Sequence, residues 1–167
     1  MSMFLKLKID GIAGEMEDES IEVFDASHGV RMPMNEAGKP TSSGLRTYGS
    51  AQHGNLKLTL GVSKAIPKLL EACHSGMLLE GNVTLTGSRM SGGKQEPYLL
   101  YTLTDAFVSG IELTNSLAES SEQTGTGILL KYTIALDYKS VKLTVTSFDE
   151  MGMQQGSVET GDLARKS

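Results

Sequence analysis

Apolar and polar residues alternate one by one through most of this chain, a period of two that suits half-buried strands with one wet face. In LKLKID, Leu5, Leu7 and Ile9 share one parity while Lys6, Lys8 and Asp10 take the other. The pattern returns in NLKLTLGV at Leu56, Leu58, Leu60 and Val62. It returns again in ILLKYTIALDY at Leu130, Tyr132, Ile134, Leu136 and Tyr138. SIEVFDASHGV, NVTLTGSRM, PYLLYTLTDAFVSGIEL and VKLTVTSF supply the other strand segments. About seven or eight strands with closely spaced turn signals predict a mainly-β fold: an antiparallel β-barrel or two packed sheets.

Only SKAIPKLLEACHSG reads as a helix, and it is expected to flank the sheet over about residues 63–75. Ser63 is placed to cap the N-terminus, Pro67 is tolerable only near the first turn, and Gly76 is placed to end the helix in a left-handed conformation. Ile66, Leu69, Leu70 and Cys73 recur at three- and four-residue spacing and define the face to be buried. Glu71, Cys73 and His74 have the look of an acid, a nucleophile and a base. Helix geometry argues against this, because adjacent residues point about 100° apart and cannot reach each other. Cys73, the only cysteine, is read as a small buried hydrophobe.

The chain divides into one β-barrel domain, 1–149, and a C-terminal tail, 150–167, which loses all periodicity and is expected to be mobile in isolation. Two polar stretches interrupt the alternation, at 31–55 and 114–127. A loop as long as the first is uncommon in a compact domain and usually has a task.

Several functions are disfavoured. The net charge is −5 and the Lys and Arg residues are scattered, so no basic footprint for nucleic acid exists. The N-terminus, MSMFLKLKIDG, alternates instead of running apolar, which predicts neither a signal peptide nor membrane insertion. Such a chain is expected to be made in the cytoplasm and to leave it only by a route that reads folded protein. His28, His53 and His74 lie in three separate elements without metal-ligand spacing. The acidic run Glu15, Glu17, Asp18 and Glu19 lacks the order of a calcium loop. GSRMSGGK has Gly93 where a P-loop needs lysine, and Gln95 follows Lys94. These readings predict no catalytic residue, no cofactor and no metal. Two alternatives from other classes are a small-molecule or carbohydrate-binding β-barrel module and a hydrolase on a β scaffold. The first needs an aromatic-lined pocket, and the chain has no Trp and only 5 Tyr and 4 Phe; the second needs a nucleophile–base pair.

Four segments carry a family likeness. MFLKLKIDGIAGE is an opening strand with a Gly14–Glu15 turn. IEVFDASHGV matches a Trp-Ser-Trp-Gly-like strand end at Ser27 and Gly29, with Ala26 and His28 in place of the aromatics. SKAIPKLLEACHSG matches a helix signature at Pro67, Leu69, Ala72 and Gly76, with Ser63 replacing Asp and Ile66 replacing Ser. YLLYTLTDAFVSGIEL matches through Val108 and Ser109. In these the chain resembles the haemolysin-coregulated proteins (Hcp), the inner-tube subunits of bacterial type VI secretion systems. The resemblance implies a homo-hexameric ring, rings stacked into a tube, and a contractile sheath and tip (spike) proteins around it. It also implies secretion to the medium or a target cell, with small effector proteins carried in the lumen. By the same resemblance Ser27 is a lumen or effector contact, and the 31–55 loop, with Arg46, Thr47 and Tyr48, is an arm to the next subunit.

Overall fold

The computed structural model describes residues 3–32, 51–91, 93–117 and 128–165. Among them the order is β1 (Met3–Ile9), β2 (Ile21–Ser27), β3 (Val30–Arg31), β4 (Gln52–His53), β5 (Leu56–Gly61) and α1 (Ile66–Ser75). Then come β6 (Val83–Ser91), β7 (Lys94–Thr104), β8 (Phe107–Leu117), β9 (Ile128–Asp137), β10 (Ser140–Phe148), β11 (Gln154–Glu159) and β12 (Leu163–Ala164).

All strands but β3 and β4 join one antiparallel sheet in the order β11-β10-β7-β6-β1-β2-β5-β9-β8, with β12 adding to β10 beside β11. Alternation sets which face turns inward. Leu7 and Ile9 of β1, Leu56, Leu58 and Leu60 of β5, and Ile134 and Leu136 of β9 are all buried. They share one core cluster with Val83 and Leu85 of β6, Leu103 of β7, Val108 of β8 and Val141 of β10. The sheet therefore curls over a single core, helped by register shifts between Val23 and Asp25, Gly87 and Ser88, and Val108 and Gly110. Among the described residues its path ends at β8 and β11 without hydrogen-bonded closure.

The helix is shorter at its start than the sequence suggests. Ala65, not Ser63, occupies the N-cap, and no side chain caps it there. The Ser63 hydroxyl instead takes the Ala65 N–H at 3.3 Å, one turn too early to satisfy the helix proper. Gly76 ends the helix at φ 65°, as expected. Ile66 and Leu69 are buried and Cys73 is half-buried, whereas Leu70 is 54% exposed. The apolar face is thus narrower than the spacing implies. Packing is against β8, and the chain after the helix is tied there by Leu79 N–H donating to Ala106 O at 2.7 Å.

Two further expectations need correction. The stretch after Glu150 is not without regular structure: Gln154–Glu159 pairs with β10 and Leu163–Ala164 adds beside it. Every residue of β11 is exposed, so backbone pairing holds it with no buried face, and no alternation records it. The polar stretch from 114 is partly strand, since β8 runs to Leu117 and β9 begins at Ile128.

Candidate functional site

The chemistry-bearing side chains gather where β2 ends. Alternation puts Ser27 on the outer side, exposed and opposite Lys57 of β5. The chain then turns through His28 and Gly29 into β3, whose Val30 and Arg31 pair with His53 and Gln52 of β4. Arg31 Nε donates to Gln52 Oε1 at 3.0 Å, and Gly54 N–H donates to Gly29 O at 2.8 Å. Ser27, His28, Arg31, His53, Asn55 and Lys57 line an open groove of about 640 Å³.

Beneath the groove lies Tyr138, 3% exposed, just after β9. Its hydroxyl is 2.6 Å from His28 Nε2, 3.1 Å from His53 Nδ1 and 3.3 Å from Gly54 O. The Tyr101 ring of β7 meets His28 edge-on at 5.4 Å between centroids. Arg165, after β12, pairs with Asp137, donates to His53 O at 3.0 Å and lies 5.5 Å from the centre of the Tyr138 ring. Burial, reinforced by Tyr101, pushes the Tyr138 phenol up to about 12. Burial and, next, the nearby His53 hold His28 below its ordinary value, so its neutral form is favoured.

These groups can make a hydrogen-bonded fastening that joins four parts of the chain. Within the described residues no three His, Cys, Asp or Glu side chains are grouped to hold a metal ion. His28 and His53, placed by the sequence in separate elements, are brought together; His74 remains in the last turn of α1. Glu71 and His74 are exposed, while Cys73 packs against the core. Arg46, Thr47 and Tyr48 lie outside the described residues. Tyr138, Tyr101 and Arg165 are the site residues that sequence reasoning missed. One signal was available: Tyr138 continues the inward parity of β9, and a buried phenol needs a partner for its O–H.

Among the described residues, a curled antiparallel sheet with one packed helix defines a mainly-β domain. The family described as Type VI secretion system effector, Hcp, matches residues 6–145. The chain belongs to the Hcp family, the tube subunits of type VI secretion systems. A solved structure described as a type six secretion system protein is similar over 96% of this chain and 93% of its own, at 22% identity and TM-score 0.77. Hcp1 from Salmonella typhimurium is similar over 95% and 93%, at 25% identity and TM-score 0.64. A chain in the 6-fold symmetrised baseplate of the anti-feeding prophage shares the fold over 84% and 91%, at 15% identity and TM-score 0.50. No curated protein matches. Among the described residues no helix is long and apolar enough to cross a membrane.

Proposed function

We propose that this tube subunit assembles as a homo-hexameric ring. The rings stack into the inner tube, enclosed by the contractile sheath and tipped by spike proteins, and are exported to the medium or a target cell. The match to the Hcp family over residues 6–145 carries this reading. The fold suits it. A ring needs head-to-tail contacts that close by rotation, hence two different surfaces on each copy, and the two ends of the sheet, β8 and β11, are different strands.

In this reading the chain does no chemistry of its own and takes no cofactor. Ser27, exposed at the groove, faces the lumen and contacts small effector proteins. Arg46, Thr47 and Tyr48 contact the neighbouring subunit from the segment that the β3–β4 pair brackets. Electron microscopy of the purified chain tests the ring: annular particles with an open centre are expected, and compact particles without a hole would overturn it. Deleting residues 36–52 tests the arm. The shortened chain is expected to sediment as smaller species than the intact one, and an unchanged oligomer would remove the arm from the account.

A further inference from the structure

We propose that the hydrogen bonds of Tyr138 with His28 and His53 form an acid-sensitive clasp, which fastens the β3–β4 pair and the C-terminal strand β12 to the end of the sheet and loosens on acidification. Tyr138 is the keystone because its hydroxyl is buried with the ring and has one proton to give. His28 Nε2, at 2.6 Å, is the nearest of its partners. A neutral His28 can accept the phenol proton while the phenol oxygen accepts from His53 Nδ1–H at 3.1 Å. The fastening extends outward from there. Gly54 O lies 3.3 Å from the hydroxyl, His53 O takes the Arg165 guanidinium, and Arg165 N–H donates to Lys139 O at 2.8 Å.

A proton on His28 turns Nε2 from acceptor to donor, leaves the phenol proton only the longer bond to Gly54 O at 3.3 Å, and places a cation among groups that do not welcome one. Tyr101 faces it from β7 and His53 from β4. Arg31 of β3 and Lys57 of β5 line the same groove. Arg165 lies over the Tyr138 ring, and its carboxylate partner, Asp137, is already engaged. Lys139, beside Tyr138, reaches out to Asp105 at 3.9 Å. Among these described groups no carboxylate is left free for His28.

The direction of the effect follows from linkage. In the closed clasp His28 sits below its ordinary value of 6.5, and on opening it returns there. The closed form is therefore fully favoured above 6.5 and loses ground as pH falls through 6.5 toward the lowered value. Between pH 7.5 and 5.5, one such proton raises the open population by up to about tenfold.

The consequence for assembly rests on the ring reading, because β3 and β4 bracket the segment assigned to the subunit contact. Amide hydrogen exchange on the full chain at pH 7.5 and 5.5, corrected for intrinsic exchange, tests the clasp. Protection at residues 52–54 and 163–165 is expected to fall by up to about tenfold at the lower pH. H28Q, which can still accept the phenol proton but does not titrate, is expected to abolish that change. Equal wild-type protection at both pH values, or an undiminished pH response in H28Q, would overturn the clasp. If H28Q fails to fold, NMR titration of the wild-type His28 ring decides: a midpoint below 6.5 supports the clasp and one at 6.5 or above refutes it. Light scattering at the same two pH values keeps the readings apart. A monomer at both defeats the ring and leaves the exchange result standing.

Discussion

Leu69→Ala is expected to cost roughly 2–5 kcal/mol of folding stability, the range for removing a fully buried leucine side chain from a core that only partly collapses around the gap. Leu69 is 0% exposed, and Ile66 before it is 6% exposed. Together they form the inward face of α1, the one helix among the described residues, where it packs against β8. The next residue supplies the control. Leu70 is 54% exposed, and Leu70→Ala is expected to stay within about 0.5 kcal/mol of the parent. Urea unfolding of both variants at one matched protomer concentration reads the difference, since assembly makes apparent stability depend on concentration. Equal costs for the two would mean that the helix does not plug the core.

Gly14→Ala is expected to destabilise at or above the roughly 1–3 kcal/mol typical of an overpacked site. Gly14 is buried in the turn between β1 and β2, and its N–H donates to Glu19 O at 2.8 Å. An added Cβ would run into the Ser20 carbonyl and lie 2.8 Å from Ile21 Cγ1. The first obstacle is backbone, which cannot rotate aside as a side chain would. Relief would require moving the start of β2, whose Ile21 is 1% exposed in the core. Gly161→Ala, where a Cβ meets nothing within 4 Å, is the matched control. A thermal midpoint for Gly14→Ala equal to that of this control would show that the turn yields easily.

Where burial is one-sided, the sequence announced the strands. β1, β5 and β9 each alternate because one face meets the core, and Gly76 marked the helix end because a left-handed residue was needed there. The segment PYLLYTLTDAFVSGIEL concealed a break at Asp105, whose φ of 49° turns β7 into β8. β11 left no pattern, since it has no buried face to select apolar residues. The family likeness was legible for a different reason: Pro67, Leu69, Ala72 and Gly76 fall at fixed offsets between two strands. The clasp was the hardest part to foresee. His28 and Tyr138 are 110 positions apart, and only the curl of the sheet brings the end of β2, β4, Tyr138 and Arg165 to one place.

The central claim is that this Hcp-family chain works as a closed ring. Its most direct test is the mass of the purified intact chain at neutral pH, by size-exclusion chromatography with light scattering. The account predicts a single species of six protomers, and a monomer at every concentration tried would contradict it.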